Sequence, residues 1–302
     1  YDILIPSDYM VARMIREGML EKLNFDNIPN FKNISESFLN RIFDPTNEYS
    51  VPYTWGTVGV IYNKTMVDEE DTGSWDLLWN QKYMGDILMF ANPRDDFGIA
   101  LKRLGYPMNP ENEQQLREAT ELLKDQKMLV QAYVMDEIFD KMIGGEAAIA
   151  PYYAGDAITM MADNEDLGYF VPEEGTNRFV DAIVIPKGSK EKECAEMFIN
   201  FLLEAEVGAA NAEYIGYSSP NDASLALLPE DVRNNPIAYP SDEVIAKTEF
   251  WIDLPAEMNL AVDAAWTELL STDVQYSKWL MPGMMAAALL TSIGINVTRA
   301  WR

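Results

Sequence analysis

Short apolar runs alternate with amphipathic segments along most of this chain, and the alternation predicts strands and helices in turn. Strands are expected over Asp2–Pro6, Val58–Asn63, Asp86–Phe90, Val130–Val134, Ala147–Pro151, Gly168–Pro172 and Phe179–Pro186, where β-branched and aromatic residues cluster between turn formers. Helices are expected over Tyr9–Leu20, with Met10, Met14 and Ile15 on one stripe, and over Glu111–Lys127 behind Pro110. Asp136–Gly144, Ala157–Asn164 and Glu191–Glu206 continue the rhythm. Such a succession implies an α/β fold with a mostly parallel sheet covered by helices. Beyond Pro186 helices dominate, and Ser241–Thr272 offers Ala256, Leu260, Val262, Ala265 and Leu269 as the apolar side of one closing helix.

The run SVPYTWGTVGVIYN, Ser50–Asn63, joins an aromatic turn at Pro52–Thr57 to a β-branched strand from Val58. A strand leaving such a turn is suited to carry the chain from one α/β lobe into a second. With 302 residues there is room for two cores. Ligands of open α/β sheets bind beyond the carboxyl ends of strands, so the residues that follow each strand are the candidates for a site.

Charge narrows the choice of ligand. Acids outnumber bases 49 to 23, a net charge of -26 that repels nucleic acids and anionic lipid surfaces and favours cations, besides keeping the chain soluble. There is no His and only one Cys, which removes the commonest general base, the commonest zinc ligand and any internal disulfide. No cofactor or metal is therefore expected. Cys194 lies in a helical segment and is expected to be a small buried hydrophobe. Trp279–Thr298 is twenty residues without a charge, interrupted by Pro282, Gly283 and Gly294; a membrane span, a docked or frayed helix and a truncation artefact are all compatible with it. The chain opens on Tyr1 with no leader, so compartment cannot be read from its start.

Rings and carboxylates recur together after the strands. Ser7, Asp8 and Tyr9 follow the first, where a helix cap explains the first two residues as well as a ligand would. Asn92–Asp96 opens a helix, and its acids, Asp95 among them, suit the helix dipole. Tyr152, Tyr153 and Asp156 meet at a turn, and Tyr217 lies in an aromatic loop. Asp181 is an acid within an apolar strand that also carries Phe179; a buried carboxylate requires a cationic or hydrogen-bonding partner. Rings attract ammonium groups through their faces, and carboxylates accept charge-assisted hydrogen bonds from them. An alkyl polyamine suits both.

The segments YDILIPSDYMVARMIREGML, NFKNISESFLNRIFDPTNEYSVPYTWGTVGVIYN, SWDLLWNQKYMGDILMF and MFINFLLEAEVGAANAEYIGYSSPN resemble the spermidine/putrescine-binding proteins of bacterial ABC importers, across roughly Tyr1–Leu270. The resemblance implies a two-lobed periplasmic-binding-protein-like α/β fold with three hinge crossovers, near Thr57, near Asp181 and after Leu227. Lobe one would comprise 1–57 and 181–227, lobe two 58–180 and 228–278, with 279–302 a tail of unknown role. It implies ligand contacts from Ser7, Tyr9, Asp95, Tyr153, Phe179, Asp181 and Tyr217, with Trp251 or its neighbour Phe250 close by. It also implies a monomer without enzyme activity, outside the cytoplasmic membrane in the periplasm or extracellular space and at the membrane face, handing a polyamine to permease subunits. Three departures stand out: Asn92 replaces an acid, Phe179 replaces an indole, and the opening strand with its aromatic loop, expected ahead of Tyr1, is missing. Two rivals are a ferric-ion binder using Tyr152 and Tyr153, and a hydrolase using the carboxylate pair Asp95 and Asp181.

Overall fold

The computed structural model of the chain describes residues 1–272. The uncharged run Trp279–Thr298 lies outside the described residues. In chain order come helix α1 (Asp8–Arg16), strands β1 (Ser50–Asn63) and β2 (Ile87–Phe90), helices α2 (Pro93–Arg103) and α3 (Glu113–Gln126), and strand β3 (Val130–Val134). Then follow α4 (Ile138–Ile143), β4 (Ile149–Tyr153), α5 (Ala154–Asp163), β5 (Leu167–Phe170) and β6 (Thr176–Val184). Helices α6 (Lys192–Leu202) and α7 (Ala205–Ile215) precede three single turns, α8 (Asp222–Leu225), α9 (Glu230–Arg233) and α10 (Asp242–Ile245). Strand β7 (Thr248–Glu249) and helix α11 (Ala256–Ser271) complete the described chain.

Strand β1 is the spine. Its first half, Ser50–Thr57, pairs with β6, while Val58–Asn63 pairs with β4 and β5, all antiparallel. Among the described residues, parallel strand pairing is confined to β2 with β3 and β4, and to β6 with β7. The sheet is therefore mixed and not mostly parallel, because the chains that return beside one long strand run against it. The aromatic turn expected at Pro52–Thr57 is instead the first half of β1. Pro52 donates no amide hydrogen, and it sits where the register with β6 slips between Pro52 and Thr54, a place where a strand tolerates proline. Buried Asp44 anchors the entry, accepting the amides of Tyr49 and Ser50 at 2.9 Å each and the Ser50 hydroxyl at 2.8 Å.

Two apolar clusters share β1 and β6. One holds Val51, Trp55, Val180, Ile183 and Ile199; the other holds Val58, Ile61, Trp75, Phe90, Phe97 and Leu123. Membership changes between Trp55 and Val58 on β1 and between Phe179 and Val180 on β6. These strands thus run through both cores as a two-stranded ribbon. A smaller cluster packs Leu228, Val232 and Tyr239 on Ala209 and Ala212 of α7.

Other expectations are corrected by packing. Asp2–Pro6 contributes only an isolated bridge, Leu4 to Val184, at the sheet's margin. The helix expected over Glu191–Glu206 breaks at Glu204, whose backbone is extended, and resumes as α7. Ser241–Thr272 is not one helix: it divides into α10, β7 and α11, with Pro255 preceding the last. Val262, Ala265 and Leu269 are buried, but Leu260 is 69% exposed, on the outer face of α11. Cys194 is exposed, since α6 turns Ala195, Glu196 and Ile199 inward instead.

Candidate functional site

The local rules that start a helix also place the first acid of the site. After β2, the Asn92 side chain caps α2 by accepting the Arg94 amide at 3.1 Å, Pro93 takes the first turn, and Asp95 and Asp96 follow where the helix dipole favours negative charge. Asp95 is only 3% exposed. Its Oδ2 accepts the Asn92 amide at 2.6 Å and the Tyr153 hydroxyl at 3.1 Å. Burial pushes its carboxyl up to about 6, against the pull of the Tyr153 hydrogen bond and the Arg94 charge.

Register places the second acid. Asp181 of β6 lies opposite Thr54 of β1, and Ser7 bridges to it from the other side. The Ser7 hydroxyl donates to it at 2.8 Å and the Thr54 hydroxyl at 3.2 Å. Burial raises its pKa and those two bonds resist the rise, so the hydrogen-bonding partners demanded by its position are hydroxyls. Next to it, Asp8 is fully buried with one oxygen accepting the Tyr9 amide at 2.7 Å; burial pushes it up to about 8.

Rings stand between the acids. Phe179 packs edge-on against Tyr153 at 5.4 Å and against Tyr217 at 6.1 Å between centroids. Each of these walls rests on a missing side chain: a Cβ on Gly56 would lie 2.8 Å from the Phe179 ring, and one on Gly155 would lie 2.4 Å from Tyr217. Trp251 fills the same kind of space over Gly98.

Ser7, Tyr9, Asp95, Tyr153, Phe179, Asp181, Tyr217 and Trp251 line one cavity of about 190 Å³, together with Asn92, Arg94 and Asn177. Asp156 stands off that wall, in the first turn of α5, where it accepts the Tyr217 hydroxyl at 2.9 Å and orients the ring. Trp251 is in the cavity, whereas Phe250 lies under the Arg178 guanidinium at 4.5 Å. Two lining residues escaped the sequence reading. Asn177 shares the strand face of Phe179 and Asp181, two and four positions away, a period-two signal that was available. It donates to the Glu249 carbonyl, and its Oδ1 is buried without a partner among the described residues. Arg94 carried no such signal, for a base beside two acids at a helix start reads as surface charge.

The rival chemistries find little support in this geometry. Tyr152 and Tyr153 alternate across β4: the Tyr152 hydroxyl donates to the Met135 carbonyl, that of Tyr153 to Asp95. Among the described residues no group of three or more Asp, Glu or Cys is placed to hold a metal ion. The two acids of the supposed hydrolase line a cavity that also holds the Tyr153 and Phe179 rings.

Two cores threaded by one β ribbon, with a polar cavity where the cores meet, define a two-lobed binding protein. The family model for bacterial extracellular solute-binding proteins matches residues 1–248, and the chain belongs to that family. It is 34% identical over 260 residues to the spermidine/putrescine-binding periplasmic protein of Escherichia coli, covering 86% of this chain and 75% of that one. It is 30% identical over 289 residues to a putrescine-binding periplasmic protein of Pseudomonas aeruginosa, covering 90% and 79%. Among solved structures, the spermidine/putrescine ABC transporter substrate-binding protein of Streptococcus pneumoniae superposes with a TM-score of 0.81 at 39% identity, over 89% of this chain and 83% of that one.

Proposed function

We propose that this chain captures a polyamine, putrescine or spermidine, between its lobes outside the cytoplasmic membrane and hands it, as a monomer, to the permease subunits of an ABC importer without chemical change. The observation that carries the reading is the pairing of Asp95 and Asp181, both largely removed from water, across a ring-lined cavity. Buried carboxylates held in that state are costly unless cations meet them. The names of the relatives support the same ligand class.

Closure would hinge on β1 near Thr57 and on β6 near Asp181, where the two cores exchange strands. We place the third crossing beyond Tyr239 rather than directly after Leu227, because Leu228 and Tyr239 pack on α7. Titration calorimetry at low salt with putrescine, cadaverine, spermidine and spermine tests the reading. Micromolar or tighter binding of at least one amine is expected, and absence of heat with all four overturns it.

A further inference from the structure

On the face of the β1 and β6 ribbon turned away from the cleft, two arginines come together. Asn177, Phe179 and Asp181 line the cleft, so Arg178, between them on β6, projects from the opposite face. Its register partner is Thr57 of β1, and Trp55 lies two positions along on the same face. Trp55 packs on Phe38 at 5.3 Å between ring centres, which brings the turn after Phe38, and Arg41 with it, over the ribbon. Burial lowers the Arg178 pKa and the Arg41 charge lowers it further. Phe250 holds the Arg178 guanidinium from one side at 4.5 Å, and Arg41 donates to the Ser37 carbonyl.

Donors outnumber acceptors in this patch. The Nε–H groups of Arg41 and Arg178, the indole N–H of Trp55 and the hydroxyl of Thr57 are buried without a partner among the described residues. Neither guanidinium is ion-paired among those residues. The neighbouring acids are engaged elsewhere. Asp44, three positions beyond Arg41, accepts the amides of Tyr49 and Ser50, and Glu249 of β7 accepts Lys102 at 2.8 Å and the Met108 amide at 3.0 Å. Arginine keeps its proton at neutral pH, so titration does not relieve the repulsion between the two groups. A water molecule brings hydrogens of its own, whereas an oxyanion only accepts and also carries the opposing charge.

We propose that Arg41 and Arg178 form an anion-binding site on the outer face of the hinge ribbon, taking a free tetrahedral oxyanion of the phosphate or sulfate type. Both arginines are half-buried, so an ion reaches them from solvent without entering the core. A guanidinium pairs with such oxygens through parallel N–H bonds. Two guanidiniums carried by separate elements offer donors in more than one plane, which suits a tetrahedral ion better than a planar carboxylate. The Thr57 hydroxyl and the Trp55 indole N–H add unspent donors to the floor of the patch. The site lies across the ribbon from the cleft and is independent of what the cleft binds.

The test is a calorimetric titration of inorganic phosphate into the unaltered protein at pH 7.5, with sodium chloride holding the ionic strength at about 0.15 M so that the long-range field of a charge of -26 is screened. One saturable site with a Kd of about 1 mM or tighter is expected, as two charge-assisted contacts require. Sulfate should compete for it and acetate should not. In Arg41→Gln and in Arg178→Gln, which keep an amide donor and lose the charge, phosphate should bind at least about tenfold more weakly. Absence of saturable phosphate binding to the unaltered protein overturns the inference, and that result needs no variant to fold. Phosphate binding within about twofold of the unaltered value in either folded variant also overturns it, because the ion then sits elsewhere. Competition by acetate as strong as that by sulfate overturns the assignment to a tetrahedral ion. No amine enters these measurements, so their failure leaves the polyamine reading to its own titration.

Discussion

Replacing Asp181 by Asn removes one charge from the cleft while keeping the size and planarity of the side chain. Asp181 is held by the hydroxyls of Ser7 at 2.8 Å and Thr54 at 3.2 Å, and both can rotate to serve an amide, so the strand pairing around it survives. Burial already disfavours its charged form in the empty protein, so the substitution leaves the stability of that state unchanged or slightly higher at neutral pH. The bound state responds differently. A desolvated ammonium that loses its carboxylate forfeits about 2 to 5 kcal/mol, a weakening of roughly thirtyfold to a few thousandfold in Kd. Calorimetric titration with putrescine reads the second quantity, and thermal unfolding without ligand reads the first. A Kd within about threefold of the unaltered value, with the protein folded, would refute the placement of an ammonium at Asp181.

Two further outcomes follow from burial and packing. Asp95 and Asp8 have folded pKa values raised from 3.8 to about 6 and about 8, so the stability linked to them is full below about 4 and is lost as pH rises through those values. The ligand-free protein should therefore melt at a lower temperature at pH 8.5 than at pH 5, while putrescine affinity runs the opposite way, falling by about tenfold between pH 7 and pH 5 as Asp95 takes up its proton; parallel trends would contradict this account. Gly155→Ala puts a Cβ 2.4 Å from the Tyr217 ring and should cost about 1 to 3 kcal/mol of stability together with a loss of polyamine affinity; unchanged denaturant unfolding and unchanged binding would remove Tyr217 from the wall.

Much of the site was legible because it is assembled at points governed by local rules. Asp95 follows a capped helix start, Tyr153 ends a strand, and Phe179 and Asp181 alternate on one strand face, each a pattern carried by a few consecutive residues. Asp156 was misplaced by one layer because its role runs through a hydroxyl 61 positions away, on Tyr217. Cys194 and Leu260 were misread for a related reason: helical periodicity says that one face is buried, and the neighbouring elements decide which.

The sequence by itself determined the α/β character, the strongly acidic balance of -26, the exclusion of histidine chemistry and most of the rings and acids that meet in the cleft. These properties depend on composition and short-range spacing. Tertiary structure decided that the sheet is mixed, that β1 and β6 thread both cores, and that Arg94 lines the cavity of the two acids. Those outcomes depend on pairings between residues far apart in the chain, among them Thr54 with Asp181 and Arg94 with Ile252, and local chain energetics does not select among such pairings.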